Sequence, residues 1–367
     1  MVSEFYESYR DRHRLAEGWK RRGRKIIGYF CNFTPEELIY AAGFIPVRIR
    51  GTTENIGLAD KHIPSFYCSY MRGAFDQALK GQYHYLDGVV FPTACDMTRD
   101  LFSLWKLNIK LPYYWYLPLP SQSTDSAIEF ATHELELFKE SLEDFSGNEI
   151  KTESLKQAIK TYNKNRSLVG EVYKLGMKDV PPLSGSDVFG ITLAGLVMPK
   201  DEHSTMVTKL LGSIPNSLES SVNGPRLMVA GNNFESIELL QTIENLGGRI
   251  VIDDLDTGSR YYGSKVTEGQ EPLKAISERY LREVKCPCKH DAEDRLKRIL
   301  ELARSYRVNG VILVIQKYCD THLFDRPWIE SSLQREGYPV LSIEHSDIGW
   351  SSGKFKTMVQ AFIEMLE

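Results

Sequence analysis

Short apolar runs alternate with segments whose apolar positions recur at helical spacing, after an amphipathic, helix-type segment over residues 1–25. In the first part of the chain the short runs predict strands and the periodic segments predict helices. The predicted strands are 26–30, 45–49, 86–91 and 113–117, and the predicted helices are 38–42, 72–79 and 97–107. Strands that alternate with helices favour a parallel sheet with helices on its faces.

The same alternation returns near the end of the chain, after a polar, helical stretch with breaks at Pro199 and Pro215. Strands are predicted at 226–230, 249–252, 310–315 and 339–343, and helices at 236–246, 291–306, 326–336 and from about 352. We therefore expect an α/β protein with an N-terminal domain over 1–125, a helical connector over 126–223 and a C-terminal domain over 224–367.

The two α/β halves also echo each other in sequence. The stretch 86–91 leads to Cys95-Asp96, and the similar stretch 308–313 leads to Cys319-Asp320. A second pair, 43–47 and 337–340, occurs in the same halves. Recurring pairs indicate related domains.

One further local pattern predicts a helix start. Thr34 is expected to be an N-cap, Pro35 the first helical residue and Glu37 the glutamate of a capping box.

Composition narrows the function classes. The 367 residues are 42% hydrophobic with a net charge of −4, which favours a globular chain long enough for two domains and does not favour nucleic-acid binding. We see no signal peptide and no apolar run near the ~20 residues that span a membrane, so we expect a soluble, cytoplasmic protein. Six cysteines in that compartment indicate metal binding or redox chemistry rather than disulfides.

Cys95 and Cys319 each follow a predicted strand and precede a predicted helix. Ligands of doubly wound sheets bind beyond the carboxyl ends of the strands, and a helix N-terminus lowers the pKa of a thiol there. Asp96 and Asp320 are the expected N-caps. Two equivalent thiolates facing one cleft between the domains could bind a shared metal centre.

The remaining cysteines leave several interpretations open. Cys31 and Cys68, both near predicted helix starts, are candidate third ligands, although isolated cysteines are more often buried core residues. Ferredoxin-type spacing is absent from the sequence. Cys286 and Cys288 with His290 could bind zinc, but no second cysteine pair accompanies them, so we favour a structural loop after a helix over 273–284.

The sequence resembles the family of 2-hydroxyacyl-CoA dehydratases and benzoyl-CoA reductases, over nearly its whole length. In its length and in its sequence over 155–173, the chain is most similar to the smaller cluster-bearing subunit of benzoyl-CoA reductases. The residues that carry the resemblance are 27–31, 34–37, 41–43, 87–92, Cys95-Asp96, 253–261 and Cys319-Asp320.

The resemblance implies two flavodoxin-like domains that hold one 4Fe–4S cluster per chain with three cysteines. By motif these are Cys68, Cys95 and Cys319, with Cys31 as a candidate additional ligand. Members of the family often carry a cysteine where this chain has Asp256, so the role of that cysteine is not carried over. A bridged double cluster is a variant of the same expectation.

The implied function is single-electron transfer in an anaerobic, ATP-driven reductase of an aromatic acyl-CoA. The implied partners are a larger paralogous subunit, the acyl-CoA substrate and an ATP-hydrolysing iron–sulfur activator. The sequence has no phosphate-binding loop of its own, which fits that division of labour. For proton donation, Asp96, His322 and Glu344 lie near strand ends, although each is more readily a cap or a surface residue.

Three other functions stay open. The first is a subunit of an (R)-2-hydroxyacyl-CoA dehydratase, which shares the cluster and eliminates water. The second is a homodimeric double-cluster electron-transfer protein without CoA chemistry. The third is a zinc-stabilised binding protein that uses Cys286, Cys288 and His290.

Overall fold

Two parallel four-stranded sheets form the framework of the chain. The computed structural model describes residues 2–215, 224–234, 236–289, 292–346 and 353–367. The strands of the first sheet are β1 (Ile26–Tyr29), β2 (Ile45–Arg48), β3 (Gly88–Pro92) and β4 (Tyr113–Leu117). Those of the second are β5 (Arg226–Gly231), β6 (Arg249–Asp254), β7 (Gly310–Gln316) and β8 (Val340–His345).

Both sheets have the same strand order, β2-β1-β3-β4 and β6-β5-β7-β8, with every pairing parallel. The α/β prediction with two flavodoxin-like sheets is therefore confirmed, and the internal echo in the sequence corresponds to two domains of one topology. In each sheet the Cys-Asp motif follows the third strand along the chain, β3 or β7, so the two motifs occupy equivalent places.

Helices cover the sheets and connect them. Their bounds are α1 (Val2–Arg10), α2 (Arg12–Arg21), α3 (Glu36–Ala41), α4 (Ser69–Leu79), α5 (Asp96–Asn108), α6 (Asp125–Ser146), α7 (Thr152–Lys174), α8 (Gly185–Val197), α9 (Lys200–Ser213), α10 (Ile237–Asn245), α11 (Ser259–Tyr262), α12 (Pro272–Glu278), α13 (Ala292–Ser305), α14 (Asp320–Arg335) and α15 (Gly353–Leu366). A π-helical turn, Arg279–Glu283, continues α12. Among the described residues no helix is both long enough and apolar enough to cross a bilayer.

The strands form where the sequence is continuously apolar because both faces of each sheet are covered. β1, β3, β5 and β7 are buried along their whole length. Gly88 shows how tightly β3 packs on its neighbour, since a Cβ there would lie 2.7 Å from the Cβ of Tyr113. Ligands of parallel sheets bind beyond the carboxyl ends of the strands, and a rigid core therefore holds those ends in place.

Two predicted helix starts differ from the structure. The helix predicted at 326–336 begins at Asp320, with Pro327 inside α14, because one proline removes one backbone hydrogen bond without preventing a helix. At α3 the capping-box prediction is wrong. Pro35 is the N-cap, Thr34 donates its hydroxyl to the carbonyl of Phe30 at 2.7 Å, and Glu37 is fully buried among distant partners.

Helices α6 to α9 occupy the region predicted to be a helical connector, and they pack on both sheet domains. α7 contacts α3 of the first half and α11 of the second, and α6 contacts α12. α8 contacts β2 and β6. The connector therefore joins the two domains through buried side chains as well as through the backbone.

One of those side chains, His203 on α9, should make stability depend on pH. It is fully buried, with Nε2 2.9 Å from the carbonyl oxygen of Ile191 and Nδ1 2.8 Å from the side-chain nitrogen of Asn165. The neutral ring donates through Nε2 and accepts through Nδ1. Burial, and next the charge of Lys200, lower its pKa to about 3.

We expect the free energy of unfolding to fall as the pH is lowered from about 6.5. The unfolded histidine takes up its proton near that pH, whereas the folded one does not until about pH 3, so each unit in between costs up to ~1.4 kcal/mol. Urea unfolding of the wild type and of His203→Gln at pH 7 and pH 5 measures this. Equal pH slopes in the two proteins would contradict the assignment.

Candidate metal centre

The carboxyl ends of the two sheets meet across a buried ion pair. Arg48, the last residue of β2, donates to the carboxylate of Asp256, which follows β6. Its second terminal nitrogen donates to Asn32, which in turn donates to the backbone carbonyl of Asp256 at 2.6 Å. Asp256 thus joins the two domains beside Cys31.

Cys95 and Cys319 lie at equivalent helix starts in the two domains. Each cysteine is itself the N-cap, of α5 and of α14, and the following aspartate is the first helical residue. The prediction that Asp96 and Asp320 are N-caps is therefore wrong by one position. The shift matters because it places the thiols among the backbone N–H groups that begin each helix.

Those N–H groups reach both sulfurs. Cys95 is hydrogen-bonded by the backbone of Thr98, whose hydroxyl lies 3.2 Å from Sγ, and Cys319 is hydrogen-bonded by the backbone of His322. Burial nevertheless outweighs these bonds. Burial raises the pKa of Cys95. Burial, with a smaller contribution from the charge of Cys95, raises the pKa of Cys319 to about 11. The helix starts lower each thiol pKa by less than burial raises it, so the net lowering that the sequence suggested does not occur.

Cys68 enters the site from the same side as Cys95. It is the N-cap of α4 and is 7% exposed. Its backbone N–H donates to the sulfur of Met97 at 3.3 Å, in the first turn of α5. Cys68, Met97 and Cys95 belong to one packed cluster of apolar side chains.

Cys31 follows β1 in a turn rather than at a helix start, with a φ of 60°. A residue other than glycine seldom holds that conformation unless the surroundings impose it, and such residues concentrate at functional sites. Burial raises the pKa of Cys31, and the charges of Asp256 and Cys286 add to that effect. Cys31 therefore lies beside the interdomain ion pair and beside the Cys286 loop.

The loop after the π-helical turn brings Cys286 and Cys288 into the same region. Cys288 hydrogen-bonds to Cys286, which lowers the pKa of Cys286 to about 7 and raises that of Cys288. The charge of Arg260 also lowers the pKa of Cys286. His290, the third residue of the zinc alternative, lies outside the described residues.

Arg260 supplies the clearest sign that this region can hold negative charge. It is 2% exposed, and one terminal nitrogen donates to the carbonyls of Gly231 and Asp254. The other, Nη1, is buried without a hydrogen-bond acceptor in the described part of the chain. A buried guanidinium with an unused donor next to thiols favours bound anionic sulfur.

Thiols are the ligands that iron–sulfur clusters take, and several thiols lie in this region. In the described ranges no three His, Cys, Asp or Glu side chains are close enough to hold one metal ion. A cubane needs no such group, because each thiolate binds its own iron. Cys31, Cys95, Cys286, Cys288 and Cys319 carry free thiols, and they come from both sheet domains.

The three candidate proton donors are placed differently. Asp96 has an 88% exposed side chain 3.4 Å from Arg99, and Glu344 is exposed, 3.7 Å from Arg326. His322 is buried, and burial together with nearby arginine charges lowers its pKa well below the usual value. His322 is thus neutral beside Cys319, and its backbone N–H is what contacts the sulfur.

Sequence reasoning missed the Cys286–Cys288 loop and Arg260 as members of this site. Strand ends pointed to Cys95 and Cys319, but the loop follows a helix and carries no such signal. Arg260 lies in a stretch that contributed to the resemblance, yet its charge acts on Cys286 only because tertiary packing brings the two segments together.

Two parallel α/β domains of one topology, each with a cysteine at the equivalent helix start, define the class of protein to which this chain belongs. The profile of the family described as "2-hydroxyglutaryl-CoA dehydratase, D-component" matches residues 31–366, so this chain belongs to that family. A benzoyl-CoA reductase subunit of Thauera aromatica is 31% identical over 90% of this chain and 89% of its own length.

Dehydratase subunits are similar over even more of the chain. The (R)-phenyllactyl-CoA dehydratase beta subunit of Clostridium sporogenes is 27% identical over 99% of both chains. The (R)-2-hydroxyglutaryl-CoA dehydratase beta subunit of Acidaminococcus fermentans is 24% identical over all of this chain and 99% of its own. The predicted membership of this family of enzyme subunits is confirmed.

Proposed function

We propose that this chain is the iron–sulfur subunit of an anaerobic, ATP-driven reductase of an aromatic acyl-CoA. The observation that carries the proposal is the convergence of Cys95 and Cys319, from equivalent strand ends of two domains, in a family of reductase and dehydratase subunits. The 31% identity to a benzoyl-CoA reductase subunit supports the reductase within that family.

In this proposal Cys68, Cys95 and Cys319 hold a 4Fe–4S cluster. Such a cluster supplies single electrons at potentials that reach roughly −700 mV, low enough to reduce an aromatic thioester. The N–H groups at the starts of α5 and α14 donate to the thiolates, and buried Arg260 adds a positive charge that acts on Cys286 of the same region. The Arg48–Asp256 ion pair keeps the two domains at a fixed separation.

The partners in the proposal are a larger paralogous subunit, an ATP-hydrolysing iron–sulfur activator and the acyl-CoA. The relatives are named as subunits, which supports the first of these. The chain is proposed to work in the cytoplasm. The chain holds either a single cluster or one that is bridged to a second cluster.

A second candidate is a subunit of an (R)-2-hydroxyacyl-CoA dehydratase. It is favoured by the coverage of 99% between this chain and the phenyllactyl-CoA enzyme's beta subunit. The two candidates share the thiol site, and they differ in whether the enzyme reduces its thioester or eliminates water from it.

Anaerobic purification of the tagged chain from its native host tests both. We expect iron and labile sulfide in equal amounts, a co-purifying larger paralogue, and activator-dependent conversion of benzoyl-CoA. Conversion of a 2-hydroxyacyl-CoA instead would select the dehydratase. A preparation with neither iron nor sulfide would reject the cluster, and with it both candidates.

A further inference from the structure

Cys288 lies beside the cysteines of both Cys-Asp motifs. Its Sγ is 3.7 Å from the hydroxyl oxygen of Thr321, and Sγ of Cys319 is 3.8 Å from the same oxygen. The two sulfurs are therefore no farther apart than the sum of these distances. The charges of Cys95 and Cys31 act on Cys288 as well, and that of Cys95 is the larger of the two.

The loop that carries Cys288 is anchored to both halves of the molecule. The loop starts at Val284, which is fully buried. The N–H of Lys289 donates to the carbonyl of Cys286 at 3.0 Å and so closes a turn. The ammonium of Lys289 donates to the carbonyl of Leu119, just after β4 of the first sheet, at 2.9 Å. A side chain in such a loop has little freedom to turn away from the centre.

Cys31 is less well placed for the same role. After burial, the strongest influences on its thiol are the charges of Asp256 and Cys286. The charge of Cys31 acts on Cys288 less than that of Cys95 does, and Cys288 shares Thr321 with Cys319.

We propose that Cys288 supplies a fourth thiolate to the cluster held by Cys68, Cys95 and Cys319. This inference rests on the proposed function, because it presupposes the cluster. The sulfur of Cys288 exchanges its proton for a bond to iron, and the proton passes to solvent, so no electron is transferred in forming the bond.

Full cysteine ligation would make this subunit an electron relay rather than the place where the substrate binds. A cluster with three cysteines leaves one iron open to a substrate oxygen, whereas a fourth thiolate closes that position. The acyl-CoA would then be bound by the larger partner subunit, and this chain would pass electrons to it.

The test is oxidation of the anaerobically purified complex, this chain with its partner subunit, by ferricyanide. An iron without a cysteine ligand is released by such oxidation, and the remaining three-iron cluster is detected by electron paramagnetic resonance. We expect the cluster of the wild type to keep its iron and Cys288→Ser to lose about one quarter of it from this cluster. Pro287→Ser, a change in the same loop that removes no thiol, is the matched control and should behave like the wild type.

Several results would overturn the inference. Release of iron from this chain's cluster in the wild type, to the extent seen in Cys288→Ser, would show that the fourth iron is open. Equal release in both serine variants would assign the protection to loop conformation instead. Absence of iron and sulfide from the wild type would reject the proposed function itself, which is a different outcome.

A second variant covers the case in which Cys288→Ser does not fold. Cys288→Asp keeps an anionic ligand of similar length that binds iron more weakly than a thiolate. We expect iron release intermediate between those of the wild type and a cluster with an open iron. Release as slow as in the wild type would contradict ligation by Cys288.

Discussion

Cys319→Ala is expected to leave the chain with less than about one tenth of the iron of the wild type. Even groups that only support metal ligands typically cost 10–100-fold in metal affinity when removed, and Cys319 is proposed to bind iron directly. Alanine is the appropriate replacement because a serine oxygen can still ligate. The measurement is iron and labile sulfide per chain, with the visible absorption of the cluster, after anaerobic purification.

The fold should tolerate this change. Cys319 has an ordinary backbone conformation, with a φ of −91°, and its side chain contacts Thr321 at the helix start. Far-ultraviolet circular dichroism should therefore match that of the wild type. Cys31→Ser serves as the control, since Cys31 is not among the four proposed ligands, and it should keep the cluster. Full iron content in Cys319→Ala would refute the proposed ligand set.

The contrast between these two cysteines shows how far the sequence predicts the site. Strand and helix periodicity located both sheets, and the rule that ligands bind at carboxyl ends of strands pointed to Cys95 and Cys319. Cys31 also follows a strand, but a turn with positive φ separates it from the next helix, and no sequence pattern indicated that turn.

Long-range pairing explains what the sequence did not predict. The sequence singled out Asp256 only as a difference from the family that the chain resembles. Its ion pair with Arg48 joins residues 208 positions apart, which no local pattern indicates. Cys288 was assigned to a structural loop because no second cysteine pair lies near it in the chain. Its neighbour across Thr321 is Cys319, which belongs to a different strand end.

Glu37 fits the local capping-box rule, but in the structure its carboxylate binds residues that are distant in the chain. Three residues after Thr34 it fits a capping box, yet its carboxylate accepts from Arg166 of α7 at 2.6 Å and from the hydroxyl of Tyr280 at 2.9 Å. Burial alone would raise the pKa of Glu37, but the charges of Arg166 and Arg279 bring it below the usual value. The carboxylate is therefore ionised in the interior and depends on those cations.

Arg166→Met should consequently destabilise the protein by about 3–5 kcal/mol, the usual cost of leaving one partner of a buried ion pair without the other. Glu37 and Arg166 are both 2% exposed or less, so water cannot replace the lost charge. Urea unfolding of the cluster-free protein at pH 7 measures the effect, because bound iron would otherwise add to the apparent stability.

The double variant Glu37→Gln/Arg166→Met separates charge from packing. The glutamine still accepts from Tyr280 and carries no charge, so we expect it to recover most of the stability lost in Arg166→Met. If the double variant were as unstable as the single one, lost packing rather than an unpaired charge would be the cause. Glu37 belongs to the helix that follows Cys31, and Tyr280 precedes the Cys286 loop, so the hydrogen bond from Tyr280 to Glu37 joins the two segments that flank the thiol site. A loss of iron that parallels the loss of stability in Arg166→Met, and its return in the double variant, would show that the buried network positions those segments.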